Sequence, residues 1–272
     1  GRLDKHNLVD HVIFSPRVNV RFNPSEAVNL RVSYAGGYRA PQAFDEDMHI
    51  AIVGGKRVRI RLADDLREER SHSVSLSADL YHTFGKVQTN LLVEGFYTIL
   101  DDVFALRDMD DAADGGKVKE RYNGSGATVR GFNVEGRAAF TRWFELQAGV
   151  TLQQSRYKEP EFWSEDAEVP PVRRMFRTPD AYGYFTASFK PVRNFTADLS
   201  GTCTGSMLVQ HMAGSGVAQD VAVSTPSFFD MNIRLSYDVR IYKEITMQLY
   251  GGVQNLFNAY QKDFDKGVDR DS

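Results

Sequence analysis

One cysteine in 272 residues excludes an intrachain disulfide and gives no thiol framework for a metal. Cys203 sits in the polar run Ser200 to Ser206 and reads as a small structural residue. No run of eighteen apolar residues occurs anywhere, which excludes a transmembrane helix. The formal net charge is only −3, so nothing suggests a nucleic-acid partner. There is no start methionine and no signal peptide before Gly1-Arg2-Leu3, so the sequence reads as an internal piece of something longer. No motif asks for a cofactor.

What is present is alternation. In Ser71 to Thr83, Val74, Leu76, Ala78 and Leu80 share one face and Ser73, Ser75, Ser77 and Asp79 the other. In Phe229 to Ile241 the odd positions are apolar and the even ones polar. A period of two is a strand. Soluble strands average about five or six residues, whereas a tilted strand needs about nine to eleven to cross a bilayer. These runs reach about thirteen, and that length favours a membrane barrel over a soluble sandwich that hides the apolar face.

The pattern predicts ten strands, at 12–22, 28–36, 70–83, 87–100, 128–140, 144–157, 182–190, 195–208, 228–241 and 245–256. Asn23 to Ala27, Phe84-Gly85-Lys86, Thr141-Arg142-Trp143, Pro191 to Asn194 and Tyr242-Lys243-Glu244 are the short turns between them. Long connections at 37–69, 101–127, 158–181 and 209–227 alternate with those turns, and a fifth starts after Leu256. The expected fold is therefore all-β, an antiparallel up-and-down meander with short turns at one end and long loops at the other, as in outer-membrane barrels. Phe22, Phe84, Phe140, Trp143, Phe144, Phe189, Phe195 and Tyr242 all flank short turns and form a candidate interfacial girdle. No repeat of fixed period argues for a solenoid.

Several segments resemble the barrel of TonB-dependent outer-membrane receptors. Ser15-Pro16-Arg17, followed by Tyr34-Ala35-Gly36-Gly37-Tyr38-Arg39-Ala40-Pro41, is similar to a strand end of that family. So are Glu69-Arg70-Ser71, Tyr122-Asn123-Gly124 and Gly131-Phe132-Asn133-Val134-Glu135, where Asn133 stands in place of the more usual acidic residue. Gly252 to Gln261 resembles the segment before the family's last strand. The order and spacing of these motifs carry the resemblance. It implies a barrel of twenty-two strands, of which residues 1–272 supply a C-terminal part without the last strand and without the plug domain. It also implies a receptor that imports a scarce nutrient (ferric siderophore, haem, cobalamin, peptide or glycan) with energy from the TonB protein, which acts through the missing N-terminal part. A surface lipoprotein and outer-membrane lipid are the further implied partners. The alternative is a passive porin or adhesin-like barrel.

No catalytic constellation is evident. His72 and His82 lie on a serine-rich strand but share parity with Val74 and Leu80, so they belong to its apolar face, and the chain is not read as an enzyme. The acidic run Asp108 to Gly116 lacks the glutamate a calcium loop requires at its twelfth position, where Lys119 stands, and reads as a solvated loop tip. Arg57, Arg59, Arg61, Arg173, Arg174 and Arg177 are interspersed with acids. Ligand-binding candidates are Met48 with His49 and His211 with Met212, two pairs on different long loops whose thioethers and imidazoles suit a metal-bearing ligand.

Overall fold

The computed structural model describes residues 1–7, 9–41, 58–109, 117–164, 166, 168–214 and 216–260. A short hairpin, β1 (Arg2–Lys5) and β2 (Val12–Ser15), opens the chain. Next come β3 (Arg17–Ser25), β4 (Val28–Arg39), β5 (Val58–Leu62), β6 (Glu69–Phe84) and β7 (Val87–Asp101). They are followed by β8 (Phe104–Met109), β9 (Lys117–Asn123), β10 (Ala127–Thr141), β11 (Phe144–Glu161) and β12 (Val172–Arg174). The last six are β13 (Ala181–Phe189), β14 (Phe195–Thr204), β15 (Leu208–His211), β16 (Val221–Ser224), β17 (Phe228–Tyr242) and β18 (Ile245–Val253). No helix occurs among the described residues.

Ten of these strands form one sheet in the order β3-β4-β6-β7-β10-β11-β13-β14-β17-β18, with every neighbouring pair antiparallel. This is the expected meander; β12 adds a short antiparallel pairing to β11 off this path, and the other short loop strands in the numbering gaps pair elsewhere. The spans agree with the alternation to within a few residues, with one informative exception. The predicted strand 12–22 is broken at Pro16, which has no N–H to give to a ladder. Its first half, β2, leaves the sheet and pairs with β1, while the Pro16 carbonyl accepts from Gly36 N at 2.8 Å.

The turns are as tight as the register demands. Phe84 pairs directly with Val87, so Gly85-Lys86 alone makes that hairpin, with Gly85 at φ 62°. Thr141 pairs with Phe144 across Arg142-Trp143, and Tyr242 with Ile245 across Lys243-Glu244, where Lys243 takes φ 42°.

Register also fixes the two faces. Val20, Val32, Leu76, Gly95, Phe132 and Leu152 lie side by side as one cross-strand row. On the opposite face Arg31, Ser77, Glu94, Asn133, Thr151 and Tyr182 form another. A one-residue slip in mid-sheet would exchange the faces, and the shifts among the ten strands are confined to the turn ends of three hairpins, at Phe22/Ser25, Ala139/Thr141 and Arg240/Tyr242. The apolar face is uncovered: Leu76 is 60% and Phe132 65% exposed. Accessible surface totals 18402 Å², where a compact soluble chain of this size would show about 12,000 Å². Among the described residues the few buried apolar ones, Val9, Ile13, Ala63, Ala127 and Val209, all lie at the end that carries the long loops. A single-layer sheet has no interior; only the loops build one.

Aromatic rings gather at the short-turn end. Phe140 stacks on Phe144 with centroids 5.4 Å apart, and Trp143 meets Phe189 edge-on at 5.2 Å. Phe22, Phe84 and Tyr242 are more than half exposed on the same rim.

Candidate functional loop cluster

The long connections are where this chain differs from a bare sheet, and they are knit together. β5 pairs parallel with β9, which pairs antiparallel with β8, so connections 37–69 and 101–127 share a three-stranded sheet above β4, β6 and β7. The parallel pair lies outside the ten sheet strands. It forms because two separate loops, entering from different strands, can run side by side without a crossover.

Asn123, at the end of β9, holds these loops. Its side chain accepts from Arg67 N at 2.8 Å and donates to the Arg67 carbonyl at 3.0 Å and the Asp102 carbonyl at 2.8 Å. Arg67 in turn reaches Asp102 at 2.9 Å. Beneath them Arg121 is 1% exposed with its guanidinium over the Phe104 ring, and Phe104 N donates to Glu69. Glu120, also buried, is ion-paired with Arg107, whose guanidinium lies 5.0 Å from the Tyr122 ring centre. Burying the Glu120 carboxylate is tolerable because the Arg107 guanidinium pairs with it.

The N-terminal hairpin is tied to the same end. Glu68, 3% exposed, accepts from Arg70 at 2.6 Å and faces His11 Nε2 at 3.1 Å, while His11 Nδ1 meets Asp10 at 2.9 Å. Asp10 first, then Glu68, holds the His11 imidazolium above its ordinary range. Burial pushes the Glu68 carboxyl up, but hydrogen bonds from Arg70, its own backbone N–H and His11 outweigh this and hold it down.

A second cluster joins connections 158–181 and 209–227. β15 and β16 make a hairpin, and Leu208 bridges Phe176 while its carbonyl accepts from Arg177 N at 2.8 Å. Trp163 packs edge-on against Phe176 at 5.5 Å. Asp220 accepts from Ser164 Oγ at 2.6 Å and from Ala213 N at 2.7 Å.

Of the sequence candidates, His211 ends β15 opposite Val221 and is half-buried, and Met212 follows it on the hairpin. Met48 and His49 lie outside the described residues, as do Arg57 and most of Asp108 to Gly116. No grouping of three or more His, Cys, Asp or Glu with metal-site geometry exists among the described residues. His72 is on the apolar face as expected, its Nδ1 2.8 Å from the Tyr34 hydroxyl. Sequence reasoning missed Glu68, Asp220 and the clamp role of Asn123. Only the Asn123-Gly124 dipeptide, a turn signal, hinted at the last of these.

The polar face is also organised. Glu135 accepts from Asn133 at 3.0 Å and from the Tyr184 hydroxyl at 3.2 Å, and Thr151 donates to Asn133 at 3.2 Å. Asn133 serves here as donor to a carboxylate, which an acidic residue at that position would not do when ionised.

Comparison with known proteins supports the reading of the sheet. The ferric-catecholate import receptor Fiu from E. coli matches with TM-score 0.59 and 14% identity over 91% of this chain and 31% of its own. The siderophore receptor PirA from Pseudomonas aeruginosa matches with TM-score 0.65 and 14% identity over 94% and 40%. The FrpB iron transporter from Neisseria meningitidis matches with TM-score 0.61 and 16% identity over 96% and 38%. The chain thus spans 31 to 40% of the length of these structures, and at such identity they show the fold alone. A search among curated proteins returned no match. The family description "TonB dependent receptor-like, beta-barrel", a family of outer-membrane receptors and transporters, matches residues 1–256, and the chain belongs to that family.

Proposed function

We propose that this chain is part of an outer-membrane receptor that captures a scarce nutrient at its long loops and imports it in a TonB-coupled cycle. The observation that carries the reading is the segregation of every long connection to one end of a family-matched sheet, where adjacent loops are fastened into two ordered clusters. Binding surfaces belong on loops positioned by a rigid scaffold. The short-turn, aromatic-rich end then faces the periplasm, and the uncovered apolar face meets lipid.

The ligand class proposed first is a ferric chelate, in keeping with the siderophore and iron cargo of the matched receptors. Met48, His49, His211 and Met212 are proposed contacts to it, supported by the soft-donor character of thioether and imidazole. TonB, reached through parts outside this chain, and a surface lipoprotein are the proposed protein partners.

Growth of a deletion strain on single sources tests this: ferric siderophores, haem, cobalamin, peptides or glycans, each with and without TonB. Loss of growth on one source, matched by loss on deleting TonB, is expected. Uptake that persists without TonB would overturn the receptor reading in favour of a passive porin.

A further inference from the structure

The uncovered apolar face is not uniform. Gly95 interrupts it: with no side chain there, a groove of about 660 Å³ opens between Val74, Leu76 and Tyr97 on one side and Phe132 and Leu152 on the other. The Phe132 ring lies close above the gap, and a Cβ on Gly95 would touch it at 3.5 Å. Arg130 closes the loop-side end, with its guanidinium donating to Gln154 at 2.9 Å.

Register sets the depth. Tyr34, Val74, Tyr97, Arg130 and Gln154 form one cross-strand row, directly on the loop side of the row through Gly95. Arg130 and Phe140 are on the same strand and the same face, and Phe140 belongs to the short-turn girdle. The ten residue steps from one to the other, at about 3.3 Å each and a tilt near 40°, rise about 25 Å. That is the height of the apolar band of an outer-membrane barrel. Arg130 therefore stands at the outer edge of the hydrocarbon, with a groove for an acyl chain beneath it.

A second cation is close by. Arg156 pairs with Thr128, one row further toward the loops and diagonal to Arg130. The neighbouring acids are engaged elsewhere: Asp180 with Arg174 at 3.0 Å and Asp101 with Lys158. Neither Arg130 nor Arg156 is ion-paired to a carboxylate among the described residues. Two guanidiniums at the interface, above an apolar groove, match a phosphate joined to acyl chains, because the guanidinium fork fits phosphate geometry.

We propose that the groove over Gly95 binds a phosphorylated outer-leaflet lipid, with its phosphate on Arg130 and Arg156 and an acyl chain along Leu76, Gly95 and Phe132. The proposal rests on the outer-membrane reading above. A lipid held there would fasten β6, β7, β10 and β11 to the leaflet directly below the loops that contact the nutrient.

The test uses the intact protein in dodecyl maltoside micelles doped with lipid A, the diphosphorylated acyl-disaccharide, and native mass spectrometry to count retained lipid. Arg130→Gln with Arg156→Gln is expected to lower retention about tenfold, the scale of lost charge-assisted hydrogen bonds. Gly95→Leu should lower it comparably by filling the groove. Arg31→Gln, on the polar face, should leave it unchanged. Equal retention by the double variant and the wild type, or equal retention of dephosphorylated lipid A, overturns the proposal. Heat-modifiable gel migration checks folding; if Gly95→Leu fails it, the arginine pair still decides. Fractionation separates the two readings. Protein found in the outer membrane but indifferent to these substitutions removes the groove proposal alone, whereas protein absent from that membrane removes the membrane reading with it.

Discussion

The Asn123 side chain pairs with the backbone of Arg67 as a neighbouring strand residue would, accepting from its N–H at 2.8 Å and donating to its carbonyl at 3.0 Å. Asn255 makes the same two-way pair with Ala259, at 2.7 Å and 2.9 Å. In both places a carboxamide substitutes for a missing strand, since it offers one donor and one acceptor side by side.

Asn123→Ala should therefore release the stretch 63–68 from β9 without unfolding the sheet. Faster amide exchange confined to Ala63–Glu68 and β8–β9 is expected, with a local cost of about 1–3 kcal/mol for groups left unpaired. Asn123→Asp should behave similarly, because a carboxylate cannot donate to the Arg67 and Asp102 carbonyls. Unchanged exchange in either variant would show the clamp to be redundant.

Charge placed on the two faces should have opposite consequences. Leu235→Arg and Leu80→Arg, on the apolar face, are each expected to cost about 2–4 kcal/mol near the bilayer midplane. Ser236→Arg and Ser75→Arg, on the polar face, should cost little. Denaturant titration of the intact protein in lipid vesicles reads the difference, and equal losses would contradict the face assignment.

Tolerance to insertion should follow the two ends. An epitope inserted after Gly214, in the turn closed by Gly214 N on Val217 O, should fold and be labelled by antibody on intact cells. The same insertion at Gly85 breaks a two-residue hairpin at φ 62° and should fail both tests. Labelling at Gly85 with none at Gly214 would invert the topology.

The tie between the N-terminal hairpin and Glu68 should depend on pH from both sides. Glu68, held low, contributes above its unfolded value of about 4.5, and that contribution is lost as pH falls through its lower folded value. His11, held high, contributes fully below about 6.5, and that contribution is lost as pH rises through its higher folded value. Exchange protection of β1–β2 should be greatest between these limits. His11→Ala should abolish the alkaline limb and leave the acidic one, and a profile without an alkaline limb in the wild type would contradict the assignment.

The strand pattern was legible in the sequence because a sheet with lipid on one side and polar surroundings on the other writes its two faces into alternate residues. That is why 70–83, 87–100 and 228–241 appear in the structure almost as the alternation places them. Pro16 shows the boundary of this legibility: Val12 to Phe22 alternates well enough, yet a missing N–H sends its first half to pair with Arg2–Lys5. The loops obey no period. Which of their residues meet is decided by partners distant in sequence, such as Asn123 with Arg67, Asp220 with Ser164 and Glu68 with His11. Each such contact depends on where the sheet carries the two loop ends, and so only the tertiary structure could decide it. The same holds for the groove over Gly95, since a glycine in one strand becomes a cavity only when register sets Leu76 and Phe132 on either side of it.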